Sequence, residues 1–421
     1  MQLCVKWFKN ERNLTLFMGI TYADTEMIIY ISLLVFSFIS KGGSVLRLDV
    51  VNQWNLLDFD LPHYIDYRDI RLENTVFTGL EITDDRIFLA MPRLRAGVPA
   101  TLATIPRNTP PSSSPVLRAY PDWSKHASVK GSFNCSQIIS VYRMRIDSCN
   151  RLWVLDSGVM TSIDDFTRVC QPKLVVFDLF SDIVVRTIIL PEGVLRPASL
   201  LTNLVVDESV QGRCDSSFVY MTDTAAPGLV VYDGVRDQAW RLSHPTMFPD
   251  PNFSDYNIGG ESFTLMDGII GITHSPKLAT VYFQPLATDR IFSIPTTTLT
   301  KGPPGEFEKL PISFVGRKSS QGVALTLNLV DETLYFSPTA ETSVASWNPL
   351  TNQQKLLAYD PEKLQFLAEL RWKSDGTLWI LSTRFQKFFL RTVSPLEINL
   401  RVIRVFPKNG ISHGVTNNLF I

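Results

Sequence analysis

The chain lacks the residue spacings that hold metals. Its five cysteines include no CxxC pair, and its five histidines form neither HxH nor HExxH, so there is no metal signal. His63, His126, His244 and His413 fall in separate loop regions. An excess of basic charge is also missing, with 40 Lys and Arg against 41 Asp and Glu. Phosphate binding needs a basic stripe, so no nucleic-acid partner is expected. No long amphipathic helix separates the apolar runs, which argues against a parallel α/β sheet. Neither a metal nor any other cofactor is expected.

A full membrane span is missing too. Met27–Ser40 (MIIYISLLVFSFIS) is continuously apolar for fourteen residues, short of the roughly 20 that a spanning helix needs. It has the length of a signal-peptide core, with small residues after it. The expectation is a secreted chain that leaves the membrane once the signal is removed. Residues 1–44 are read as leader, with Met27 as the start and 1–26 as an upstream extension, and 45–421 as one domain. A signal anchor is the competing reading.

What is present is one kind of segment written six times: an apolar, β-branched run, a turn, then a second run ending in a small polar cluster. Second strands are read at Arg86–Met91, Leu152–Asp156, Phe218–Thr222, Ile269–Thr273, Leu334–Ser337 and Leu378–Ser382. Each follows an Asp- or Gly-containing turn (TDDR, DSCN, CDSS, MDG, VDET, KSDGT). Third strands are read as ATLATI, KLVVFDL, GLVVYD, TVYFQPL, SVASWNP and FFLRTV. Six such units around an axis predict an all-β fold, a six-bladed β-propeller of four-stranded antiparallel blades. The ring can close in two ways, with Trp54–Leu61 or with Arg401–Phe406 as outer strand of the last blade.

Beyond Cys4 there are four cysteines, which in an oxidising compartment suggests two disulfides. Cys135 precedes a first strand and Cys170 a third strand, at one end of a blade. Cys149 and Cys214 lie in turns of adjacent blades at the opposite end. Since Cα atoms beyond about 7 Å cannot be bridged, the pairing predicted is Cys135–Cys170 and Cys149–Cys214. Asn134-Cys135-Ser136 and Asn252-Phe253-Ser254 are glycosylation triplets, with Asn252 the better placed acceptor.

The stretches VFTGLEITDDRIFLAMPRLRAGVPATLATIP, RMRIDSCNRLWVLDSGV, VYMTDTAAPGLVVYDG and LMDGIIGITHSP, in this order, resemble the insect yellow and major royal jelly protein family. The resemblance runs from about Trp54 to about Pro407. It implies a secreted six-bladed propeller. For activity it implies several things: a link to pigmentation and cuticle melanin, dopachrome conversion in some members, amine binding in others, and nutritive or self-assembling roles elsewhere. Where many relatives have Gly-Cys-Trp, this chain has Ala345-Ser346-Trp347, which removes a thiol.

In a propeller, residues closing the second strands converge on one mouth of the channel. On the strand reading above these are Arg93, Asp156, Asp223, His274 and Arg384, joined by Tyr256, Asn257, Glu261 and Ser320 from loops, with Phe263 and Trp347 as aromatic walls. The expected partner is a small aromatic amine or catechol-type ligand, its ammonium on Asp223 or Glu261 and its ring on Phe263. Asp156 and Asp223 have a competing reading as turn caps. For dopachrome isomerisation, His274 is the candidate acid–base group, since it titrates in the right range. A structural or nutritive protein without ligand is the third reading.

Overall fold

The computed structural model describes residues 3–10, 13–20, 46–129, 133–208, 214–306 and 308–406. The chain forms two compact units, Met1–Ser44 and Val45–Ile421. In the first, Leu3–Asn10 pairs antiparallel with Asn13–Ile20. The run Met27–Ser40 and the expected start at Met27 lie outside the described residues, as does His413. Among the described residues, no helix is long and apolar enough to cross a membrane.

The second unit is built from six four-stranded antiparallel sheets. Their innermost strands are Gly79–Ile82, Val141–Ile146, Leu201–Asp207, Ile269–Ser275, Leu325–Asn328 and Phe366–Trp372. Each lies beside the next, and the sixth returns to the first. This is the six-bladed propeller that the repeat predicts.

Blades stack through strands that are apolar on both faces. In Arg151–Asp156, Trp153 and Leu155 pack with Leu204, Val219 and Met221 of blade three. The alternate residues Leu152 and Val154 pack with Phe88 and Ala90 of blade one. A period of two therefore sends successive side chains to opposite neighbours, so the strand reads as an uninterrupted apolar run. Each such side chain contributes about 1.5–3 kcal/mol by leaving water.

Outer hairpins share a turn device. Asp178 accepts the N–H groups of Phe180 and Ser181, Asp233 those of Val235 and Arg236, and Asn348 those of Leu350 and Thr351. Four residues after each stands a residue with positive φ: Asp182 at 57°, Asp237 at 53° and Asn352 at 55°. Asp and Asn suit both places, because their side chains bond the nearby backbone and tolerate the left-handed region.

Three strand expectations need correction. Ile269–Thr273 belongs to the innermost strand of blade four, Ile269–Ser275, and TVYFQPL supplies the second, Thr280–Pro285. The reason lies just upstream: Gly259 and Gly260, with φ of 60° and 87°, close a separate hairpin in which Asp255–Ile258 pairs with Glu261–Thr264. Two glycines at positive φ are a hairpin turn, and they take ESFT out of the blade. FFLRTV is not a strand either, since Phe385–Leu390 is a helix; its phenylalanines 385, 388 and 389 recur at helical spacing. The third strand of blade six is Leu400–Val405, and Asp49–Trp54 pairs with it as the fourth. The closing strand thus lies just ahead of Trp54–Leu61.

Both predicted disulfides are present, with Cα–Cα distances of 5.6 Å for Cys135–Cys170 and 6.0 Å for Cys149–Cys214. The first staples blade two. The second joins blades two and three across 65 residues of chain. Replacing Cys149 and Cys214 by serine is expected to cost about 2–5 kcal/mol, read as a lower urea midpoint at unchanged slope. An unchanged midpoint would contradict it.

Candidate functional site

The channel has two unlike mouths, and the sequence-predicted residues do not gather at either. Asp156 closes the second strand of blade two, is fully buried, and accepts the backbone N–H groups of Ile139 and Ser140 at 2.8 Å. Asp223 does the same for Leu200 at 2.9 Å and binds Arg241 at 2.8 Å. Both carboxylates are used up in tying the approach to an inner strand onto its neighbour, which is the capping role. Arg93 is buried with its guanidinium on the carbonyls of Ala127 and Val98. Arg384 pairs with Glu397.

Glu261 and the exposed Asn257 sit on the separate hairpin, where Asn257 donates to Ser262 at 3.0 Å. Trp347 donates to Asn352 at 3.0 Å on the third strand of blade five. Ser320 donates to Glu341 at 2.5 Å. Phe263 stacks on Tyr256 at 4.9 Å and lies 5.1 Å from Phe389. It backs a wall of the pocket described below rather than forming one. Asn252 and Asn134 are exposed; Asn134 Oδ1 accepts from Ser136 N and Oγ.

His274 is placed at the opposite mouth from Asp156 and Asp223, because its strand is an inner one. Antiparallel succession puts the end of an inner strand at the far side from the end of a second strand. Its Nε2 lies 3.7 Å from Asp207, which accepts from Tyr220 at 2.6 Å. Burial pushes the imidazole below its ordinary pKa, against the pull of Asp207. The far mouth holds further charges in pairs, Glu81 with Arg371 and Asp147 with Arg151. Asp147, Cys149 and Glu208 come close enough there for a metal, but the Cys149 sulfur is locked in a disulfide.

The near mouth is a cavity of about 340 Å³ at the starts of the inner strands. Every blade contributes: Thr78, Tyr142, Thr202, Ile270, Val323 and Phe366. Phe77, Leu94, Phe166 and Leu200 add apolar wall, and the short helix Phe385–Leu390 covers one side with Phe385 and Phe389. Phe385 lies flat on Phe366 at 4.7 Å. The polar groups are few and mostly occupied. Tyr142 shares a 2.8 Å hydrogen bond with Ser162, and Thr78 donates to the Tyr142 carbonyl at 2.7 Å. Arg143 is neutralised by Glu369 at 2.9 Å, which also holds Arg145 at 3.1 Å.

Asp267 is the exception. It stands in the turn before the inner strand of blade four, lines the cavity, and its side chain makes no hydrogen bond or ion pair among the described residues. The residue is half-buried, and the desolvation of its carboxylate pushes the pKa up to about 6. A partnerless carboxylate in such a place is costly unless something cationic arrives. The sequence contains it in the turn MDG, but the strand misreading sends that turn to the other mouth.

The propeller channel opens into a pocket walled largely by aromatic and aliphatic side chains and lined by the Asp267 carboxylate, a fold and cavity that by themselves specify no single activity. A profile of the major royal jelly protein family matches residues 139–414, and the chain belongs to that family. It is 28% identical over 407 residues to a dopaminechrome tautomerase of Drosophila melanogaster, covering 90% of this chain and 86% of the relative. It is 30% identical over 401 residues to protein yellow of Drosophila yakuba, covering 89% and 71%. Among solved structures, a luciferin-regenerating enzyme aligns with a TM-score of 0.46 at 10% identity, over 87% of this chain and 96% of that one.

Proposed function

We propose that this protein is secreted and binds a small cationic aromatic compound, an amine of the catechol or indole class, in the near-mouth pocket. The observation that carries this is the Asp267 carboxylate, without a side-chain partner among the described residues, in a cavity walled mainly by phenylalanine and aliphatic side chains, whose other charged group, Arg143, is paired with Glu369. An ammonium satisfies the carboxylate while the ring packs on Phe366, Phe385 and Phe389. The two disulfides support an extracellular setting, where the exposed Asn252 and Asn134 would carry glycans.

Calorimetry with dopamine and serotonin tests the reading. Asp267→Asn is expected to weaken binding about 10- to 100-fold, as loss of a desolvated charge partner does. Stability should move the other way. The folded pKa lies above the ordinary carboxylate value, so ionisation costs stability as pH rises through about 6. The neutral amide escapes that cost, and the variant's urea midpoint at pH 7.5 is expected to rise. Equal affinity in both proteins would overturn the reading.

A further inference from the structure

We infer that the far mouth is a second binding site, one for a short zwitterionic peptide, with the peptide's ammonium on Glu208, its carboxylate on Lys373 and an amide group on His274. This site is separate from the near-mouth pocket, and a peptide there does not depend on an amine at the other end.

The far-mouth cavity measures about 810 Å³, and its charges can be matched one by one. Arg371 is matched by Glu81, Arg145 by Glu369 and Asp147 by Arg151. Two lining charges remain without an ion pair among the described residues, Lys373 and Glu208. Lys373 Nζ donates one N–H to the Ile82 carbonyl at 2.9 Å, and Glu208 accepts from Ser148 N at 3.0 Å and Oγ at 2.6 Å. Both residues are half-buried. Glu208 follows the inner strand of blade three and Lys373 that of blade six, which stand opposite each other in a ring of six. Held on opposite walls, the two charges do not neutralise each other. One molecule with an ammonium at one end and a carboxylate at the other satisfies both.

His274 supplies the point between. It comes from the inner strand of blade four, lines the cavity and is 8% exposed. Neither ring nitrogen makes a hydrogen bond among the described residues, since Asp207, at 3.7 Å from Nε2, is beyond hydrogen-bond reach. A buried polar group left in this state is costly until a partner arrives. Burial favours the neutral imidazole, which has one N–H and one acceptor, so either half of a peptide group suits it. A free amino acid carries its two charges too close together to touch opposite walls. Each further residue lengthens an extended chain by about 3.5 Å.

Calorimetry of the full chain with alanine and with di-, tri- and tetra-alanine tests the site. No binding is expected for alanine itself, and a maximum is expected within the series. Acetylating the amino terminus or amidating the carboxyl terminus of the best peptide should weaken it about 10-fold. Glu208→Gln should remove the effect of acetylation alone, and Lys373→Met the effect of amidation alone. On binding, the imidazole nitrogen signals of His274 should shift. No heat with any peptide, or equal affinity for free and blocked peptides, would overturn the inference, and both are read on the unaltered protein. If the peptides bind but both variants, with unchanged urea midpoints, still respond to each blocking group as the parent does, the peptide lies elsewhere and the far-mouth assignment falls.

Discussion

Glu369→Ala is expected to destabilise the propeller by about 3–5 kcal/mol, because it strands two buried guanidiniums. Glu369, on the inner strand of blade six, bridges Arg143 at 2.9 Å and Arg145 at 3.1 Å on the inner strand of blade two. All three side chains are almost completely buried, at 3%, 6% and 4% exposure for Arg143, Arg145 and Glu369. Burial pushes Arg143 down to about 10 and lowers Arg145, while Glu369 opposes both shifts. Without the carboxylate the two cations face each other in a low-dielectric channel.

The triad joins blades six and two, the two neighbours of blade one, and lies between the two mouths, with Arg143 lining one cavity and Arg145 the other. Replacing all three residues together by methionine and leucine should recover most of the lost stability, since the pair attraction only offsets the desolvation it causes. Urea unfolding of the single and triple variants checks this. A single-variant loss below about 1 kcal/mol, the range of exposed pairs, would show that the carboxylate is not what neutralises the arginines.

The fold was largely readable from the chain because propeller strands advertise themselves twice, by doubly buried apolar runs such as LWVLD and by Asp turns at their ends. Topology was legible enough to pair four cysteines correctly. The site was not, and one local event explains most of the difference. The segment ahead of blade four forms a separate hairpin closed by Gly259 and Gly260, and Ile269–Ser275 is the innermost strand. Reading Ile269–Thr273 as a second strand shifts blade four by a strand, and a shift of one strand exchanges the two mouths. His274 moves to the ligand side on paper, and Asp267 moves away.

The second obstacle is the helix Phe385–Leu390, whose aromatic residues read as a strand in isolation but cover the pocket in the folded chain. Asp156 and Asp223 teach the complementary point. A polar residue closing a strand next to an opening is well placed for a ligand and equally well placed to satisfy free backbone N–H groups. In both cases the backbone claims it.

Ring closure supplies the other large effect expected. Blade six takes its fourth strand, Asp49–Trp54, from far back along the chain, so the seam is held by side chains and hydrogen bonds alone. Trp54 is its anchor, 1% exposed, edge-on to Phe77 at 5.4 Å, with its indole N–H on the Pro115 carbonyl at 2.9 Å. Asn52 reaches the same Pro-rich loop through Thr109 at 2.8 Å. The segment Pro106–Pro115 therefore clasps the seam from blade one. Trp54→Ala should cost about 3–5 kcal/mol through the cavity it leaves, with the unpaired Pro115 carbonyl adding to that. Trp54→Phe keeps much of the volume and should cost about 1–2 kcal/mol, near the value of the lost hydrogen bond. Hydrogen exchange gives the sharper readout, because opening at the seam should speed exchange in Asp49–Trp54 and Leu400–Val405 before the inner strands follow. If Trp54→Ala accelerates exchange evenly around all six blades, the seam is not a separate cooperative unit, and the ring opens as a whole.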